Sequence, residues 1–140
     1  MVKTEVNNGA RETFAFIANP ENNPQWQGGM KKCKVTSEGP IGVGSEYEQE
    51  AEFMGKPILT TFKITEFEEG HLIKGESIIS TFPITFQRIV SGNDRTCDVT
   101  AIVTGAPRGL MGIFPFLTKW MIKRSITRDY QKLKNTLESE

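Results

Sequence analysis

The stretch "EYEQEAEF" (46–53) constrains the fold more than any other part of the sequence, because charged and uncharged residues alternate strictly along it. Four glutamates occupy every second position, and they alternate with Tyr47, Gln49, Ala51 and Phe53. Successive side chains of a β-strand point to opposite faces of a sheet. The pattern therefore predicts a strand with one charged face in water and one mainly apolar face turned inward.

The same period of two recurs along the middle of the chain. A short strand is predicted at Val2–Val6, and the later candidates are "KPILTTFKITEF", "HLIKGESII", "FPITFQRIV" and "RTCDVTAIVTG". Turn signals separate them, Glu-Glu-Gly before His71 and Ser-Gly-Asn-Asp after Val90. Connections this short favour antiparallel pairing over crossover helices.

Helical patterns flank these strands. "NNGARETFAFIAN" predicts a short helix, since Phe14, Ile17 and Ala18 share one apolar face. Pro20 and Pro24 then prevent a regular helix from continuing, and Trp26 follows them.

The C-terminal part, Leu110 to Leu137, is also predicted to be helical, with Pro115 either kinking it or opening its main segment. Its apolar stripe changes face near Met121. One side carries Leu110, Ile113, Phe114, Leu117 and Met121, and the other carries Ile122, Ile126, Tyr130, Leu133 and Leu137. A straight helix on a flat sheet would keep one stripe, so we expect a strongly curved sheet or a separate role for the first half.

Length and composition predict a single domain, 1–140, with a core that needs no disulfide or metal. The formal net charge is zero, which gives no argument for a nucleic-acid partner. Cys33 and Cys97 have no metal-type spacing and share the apolar parity of their strands, so we expect buried thiols in a reducing compartment. No signal region or stretch of about 18 apolar residues occurs, and a cytoplasmic location is the expectation.

The order of these elements resembles the START-like, or SRPBCC, superfamily, and within it the bacterial polyketide cyclase/dehydrase-type proteins. "FAFIANPENNPQW" is similar to the family's helix followed by D-P-x-x-x-P-x-W. Further similarity lies in "GPIGVGSEY", "ITEFEEGHLI" and "PRGLMGIFPFLTKWMIKRSITRDYQKLKNTLE". Asn8-Gly9-Ala10 departs from the family, in which a proline-containing lead-in is frequent. The resemblance implies an α+β helix-grip fold, a curved antiparallel β-sheet wrapped around a long C-terminal α-helix with a central cavity.

On this basis we expect the protein to bind a small hydrophobic or amphipathic ligand, such as a lipid, an isoprenoid quinone or a polyketide-like aromatic, without a cofactor. The candidate lining residues are Tyr47, Gln49, Phe53, Phe62, Phe86, Val99, Ala101, Leu117 and Met121, with Trp26 at the rim. Arg88 has the parity of Phe86 and Val90. It would pair with an acidic ligand group if that face is inward, and it would be exposed if a bulge intervenes.

The rival hypothesis is a cyclase or dehydratase, which needs a general acid or base in the cavity. The sole histidine, His71, falls at a predicted turn, where we expect exposure to solvent. Arg88 and Tyr47 are the other candidates, and no nucleophile motif, phosphate-binding loop or metal-ligand spacing occurs. A third alternative is an interaction module with an exposed patch around Phe116 and Trp120.

Between Leu110 and Ile122 the single charged residue is Lys119. This segment is interpreted as cavity wall and cover. The alternatives are a mobile gate, a dimer surface, or an interfacial membrane contact with Lys119, Lys123 and Arg124 near the headgroups. Monomer and homodimer both remain open.

Overall fold

The computed structural model describes residues 2–53, 55–80, 83–105 and 115–139, apart from the side chains of Phe53 and of residues 115–122. Within this part of the chain, seven strands form one antiparallel sheet. The strands are β1 (Val2–Val6), β2 (Met30–Val35), β3 (Glu46–Phe53), β4 (Lys56–Glu68), β5 (Leu72–Ile79), β6 (Thr85–Gly92) and β7 (Cys97–Thr104). The helices are α1 (Ala10–Ala18), a 3₁₀ segment (Pro20–Gln25) and the C-terminal α2 (Pro115–Glu138).

The strand order β1-β7-β6-β5-β4-β3-β2 places β1 and β2 at opposite edges of the sheet. Since β2 is the next strand after β1 in the sequence, α1 and the 3₁₀ segment carry the chain from one edge to the other. The sheet is curled, and α2 packs against it with contacts to β1. This is the predicted helix-grip architecture.

Two irregularities between β4 and β5 accompany this curl. The pairing register shifts between Thr61 and Phe62 and again between Ile64 and Glu66. Extra residues of this kind bend a strand and increase its twist. Gly75 lies opposite Phe86, and a Cβ at Gly75 would lie 2.6 Å from a ring carbon of Phe86. The glycine therefore gives the Phe86 ring room on the inner face.

The predicted parity of the strands is confirmed. Tyr47 and Phe62 are opposite each other on β3 and β4 and are both buried, whereas Glu48 and Glu50 are exposed. The pairing of β6 continues beyond Val90 to Gly92, which lies opposite Cys97. The prediction of a turn directly after Val90 is wrong by two residues.

The second stripe of the C-terminal helix is confirmed as a core face. Tyr130, Leu133 and Leu137 are buried, and Ile126 packs against them at the edge of the core. The helix is tied to β1 by Lys134 Nζ, which donates to the carbonyl of Glu5 at 2.9 Å. Leu110, Ile113, Phe114, Leu117 and Met121, the first stripe, lie outside the residues or side chains that the structure describes. So do Phe116 and Trp120.

Candidate functional site

Three aromatic rings from three strands form a cluster on the inner face of the sheet. Tyr47 stacks on Phe62 with ring centroids 5.2 Å apart, and Phe86 meets Phe62 edge-on at 5.5 Å. Tyr47 and Phe86 are 6.4 Å apart. All three are buried, as the strand parity predicted. Such pairs supply a large apolar surface with defined geometry.

Arg88 lies beside this cluster, one inward position along β6 from Phe86. Arg88 is 8% exposed. The alternative, in which a β-bulge turns Arg88 towards solvent, is therefore wrong. The guanidinium carbon lies 5.3 Å from the centroid of Phe86 and 5.0 Å from that of Trp26. Arg88 Nη1 donates to the carbonyl of Ile17 at 3.2 Å. A positive charge is thus held between two aromatic faces.

Trp26 does not lie at a rim, because its side chain is completely buried. The 3₁₀ segment turns the chain inward, and the backbone N–H of Trp26 donates to the carbonyl of Asn23 at 3.2 Å. Its ring meets that of Tyr130 edge-on at 4.9 Å. The indole Nε1 has no hydrogen-bond partner among the described residues.

The remaining predicted site residues occupy different surroundings. Gln49 lies in line with Cys33 and Thr60 across β2, β3 and β4, and it is half-buried. Val99 and Ala101 are buried on β7 in the packed core. The side chains of Phe53, Leu117 and Met121 lie outside those described, so the structure does not place them.

Three buried residues near the aromatic cluster were not predicted as site residues. Thr60 Oγ1 and Asn23 Oδ1 are buried without a partner in the described part of the chain, and Tyr130 contacts Trp26. Thr60 shares the parity of Phe62, so its inward position was visible in the sequence. Asn23 lies in an irregular segment, where no periodic signal exists.

The buried titratable groups on this face keep their protons at neutral pH. Burial raises the pKa of Cys33 to about 11, which makes its thiolate a rare species. Burial also raises the pKa of Tyr47 and of Tyr130, although the charge of Arg88 opposes both shifts. His71 is exposed at the β4–β5 turn, as predicted, with Nδ1 2.8 Å from the carbonyl of Val90. The raised pKa values of Cys33, Tyr47 and Tyr130 suit these three groups to holding a ligand more than to proton transfer.

Two surface grooves lie outside this cluster. One, of about 540 Å³, is lined mainly by side chains of the outer face: Lys32, Lys34, Glu48, Glu50, Leu59, Thr61 and Ile79, together with Gln49 and Thr60. Leu59 and Ile79 are each 67% exposed there. The other, of about 610 Å³, lies on α2 and is lined by Lys123, Arg124, Thr127, Arg128 and Gln131. The sequence predicted a wet outer face but not these apolar residues on it.

No protein-family model matches the sequence, and no curated protein is significantly similar to it. Solved structures do match it over almost its full length. A START superfamily protein from Mycobacterium smegmatis has a TM-score of 0.77 at 16% identity, with 99% of this chain and 95% of that chain covered. The Streptomyces aromatase/cyclase Zhui has a TM-score of 0.70 at 10% identity, covering 99% of this chain and 89% of that chain. For Ara h 8.0201 the TM-score is 0.71 at 14% identity, covering 99% and 96%.

At these identities the matches show the fold alone. The chain has the helix-grip fold of START-like and aromatase/cyclase proteins, which the resemblance in sequence predicted. Among the described residues, no helix is both long enough and apolar enough to cross a membrane.

Proposed function

We propose that the protein binds a small hydrophobic or amphipathic ligand between the inner face of the sheet and the C-terminal helix. The observation that carries this proposal is the cluster of Tyr47, Phe62 and Phe86 with a buried cation, Arg88, beside it. Sites for small molecules are typically apolar and aromatic, with a few polar groups that fix orientation. The fold of the structural neighbours supports the same placement of a ligand.

The energetics favour a ligand with a substantial apolar part. Removing about 300 Å² of apolar surface from water provides roughly 7 kcal/mol before the costs of association are counted. Ring faces such as those of Tyr47 and Phe62 suit both flat aromatic and aliphatic ligands. The proposal includes residence in the cytoplasm, which is supported by the free, buried thiols of Cys33 and Cys97.

The outer groove of β2–β5 is the competing location, since Leu59 and Ile79 offer apolar surface there. Lysines and glutamates surround these two residues, and the groove faces solvent. An apolar ligand would remain largely hydrated in that position. We therefore assign the ligand to the inner face.

Tryptophan fluorescence tests this assignment. The chain has two tryptophans, so Trp120→Phe leaves Trp26 as the single reporter. Titration with dodecan-1-ol and with N-phenyl-1-naphthylamine is expected to give saturable changes in Trp26 emission. Leu59→Ser in the outer groove is the matched control and is expected to leave both affinities unchanged. Loss of binding in Leu59→Ser, or no saturable binding of either probe, contradicts the proposal.

The second candidate function is a cyclase or dehydratase, and the Streptomyces neighbour is an aromatase/cyclase. Arg88 next to Tyr47 favours it, because a guanidinium stabilises an enolate and a phenol donates a proton. The test is to incubate the protein with an aryl polyketide-thioester mimic. Mass spectrometry then detects any loss of water from the mimic. The enzyme hypothesis predicts dehydration that Tyr47→Phe and Arg88→Met reduce at least ~10²-fold. The absence of turnover, with saturable binding of the mimic, favours the binding protein.

A further inference from the structure

The burial of Arg88 is compensated without an ion pair. Among the described residues, no carboxylate lies within ion-pair distance of its guanidinium. The nearby Asp129 is half-buried and accepts from the backbone N–H of Gly28 at 2.9 Å. A buried charge without an opposite charge is costly, which is why such groups are usually paired.

A structural role accounts for part of this arrangement. Ile17 lies in the last turn of α1, where carbonyl groups lack helical partners and a cation is favourable. Arg88 Nη1 donates to the carbonyl of Ile17. Arg88 also shares a side-chain hydrogen bond with Tyr130, so two of the five N–H donors of the guanidinium are used. The two aromatic faces beside Arg88 stabilise its charge, but they accept no conventional hydrogen bond.

A second buried donor lies against Arg88. Trp26 is fully buried, and its indole N–H is without an acceptor in the described structure. Leaving such a group unpaired costs about 1–3 kcal/mol. A cation and an unpaired N–H donor side by side both require an acceptor, and a negatively charged acceptor suits them better than a neutral one.

We propose that Arg88 and the indole N–H of Trp26 bind the carboxylate of an amphipathic acid, whose apolar part lies over Phe86, Phe62 and Tyr47. This inference rests on the proposed function and specifies its ligand class. A carboxylate matches the planar fork of a guanidinium through two parallel hydrogen bonds. Its single charge balances Arg88, whereas a doubly charged phosphate monoester would leave one charge without a partner among the described residues of this face.

Isothermal titration calorimetry of the whole protein with dodecanoate and with dodecan-1-ol tests this proposal at pH 7.5 and at concentrations below micelle formation. The two compounds share an alkyl chain, so a difference in affinity reports on the carboxylate. We expect wild type to prefer the acid at least ~10-fold. In Arg88→Met the preference is expected to disappear while the alcohol binds as before. The matched control Arg95→Met removes an exposed arginine in a turn and is expected to keep the preference.

Each outcome is decisive. If neither compound binds, the proposed function fails together with the inference. If both bind wild type equally, the proposed function stands and the inference is overturned. A preference that survives in Arg88→Met also overturns it. Arg88→Lys keeps the positive charge but loses the planar pair of N–H donors of the guanidinium. We expect it to retain a reduced preference for the acid over the alcohol.

If Arg88→Met does not fold by circular dichroism, wild type provides the test. Dodecanoate labelled with ¹³C at its carboxyl group is titrated with acid in the bound state. Contact with Arg88 is expected to lower the pKa of the bound carboxyl below that of the free acid. A bound carboxyl with an unchanged or raised pKa overturns the proposal.

Discussion

The two ends of the inner face share one strand pattern but differ in what they bury. At the apolar end, defined by Val6, Val90, Val99, Leu133 and Leu137, the side chains are at most 1% exposed and pack against other apolar groups. At the polar end, defined by Trp26, Thr60 and Arg88 with the aromatic cluster, the residues are at most 8% exposed. There the indole N–H of Trp26 and the hydroxyl of Thr60 have no partner among the described residues. The difference indicates that one end provides stability and the other is built for recognition.

The largest effect is expected at the apolar end. Leu133→Ala removes a fully buried side chain of the C-terminal helix. We expect the free energy of unfolding to fall by about 3 kcal/mol, within the usual range for such cavities. Urea denaturation measures it. The preference for acid over alcohol is expected to remain in the folded variant, and its loss would show that the two ends are not separate in function.

Gly75→Ala tests how closely the polar end is packed. The new methyl group would lie 2.6 Å from the Phe86 ring, so the ring must move. We expect a loss of about 1–3 kcal/mol and a change in the affinity for N-phenyl-1-naphthylamine. Gly42→Ala is the matched control, because a Cβ there meets nothing within 4 Å. Equal effects of the two substitutions would contradict the assigned position of Phe86.

Asp129 gives a prediction about pH. Burial raises its pKa, and the amide of Gly28 and nearby cations oppose this shift. Its folded-state pKa lies above the unfolded value of about 4. The contribution of this raised pKa to the free energy of unfolding is therefore fully present below pH 4, and it is lost as pH rises through the folded-state pKa of Asp129. Asp129→Asn keeps an oxygen that accepts from Gly28, so we expect a gain of less than ~1 kcal/mol at pH 7 relative to wild type and none below pH 4.

The control for Asp129→Asn is Glu138→Gln. Bonds from Lys134 and from the amide of Asn7 lower the pKa of Glu138. The contribution of Glu138 to the stability is present above its unfolded-state pKa, and it is lost as pH falls through its lower folded-state pKa. The melting temperature of Glu138→Gln, relative to wild type, is therefore expected to change with pH in the opposite direction. If the melting temperatures of both variants, relative to wild type, changed in the same direction with pH, the opposite pKa shifts assigned to Asp129 and Glu138 would be contradicted.

The smallest effect is expected on the outer face. Leu59→Ser replaces a side chain that is 67% exposed in the outer groove. We expect the stability, measured by thermal unfolding, to stay within about 0.5 kcal/mol of wild type. A larger loss would mean that the outer groove is covered in solution.

The sequence predicted the sheet and the inward positions well, because both follow from a period of two. Phe62 was placed on the inner face from parity alone, whereas parity left Arg88 either inward or exposed by a bulge. Trp26 was misplaced, since its burial depends on the 3₁₀ segment and on Tyr130, which is 104 positions later in the chain. The unpaired donors of the polar end could not be predicted, because they depend on which groups meet in three dimensions.

The central claim is that the polar end of the inner face recognises the head of an apolar acid. ¹⁵N spectra of the protein report on it directly through the indole N–H of Trp26 and the Nε–H of Arg88, with Trp120→Phe assigning the indole signal. We predict that dodecanoate shifts both resonances to lower field and that dodecan-1-ol leaves them near their free positions. Binding of dodecanoate with both resonances unchanged would contradict the claim.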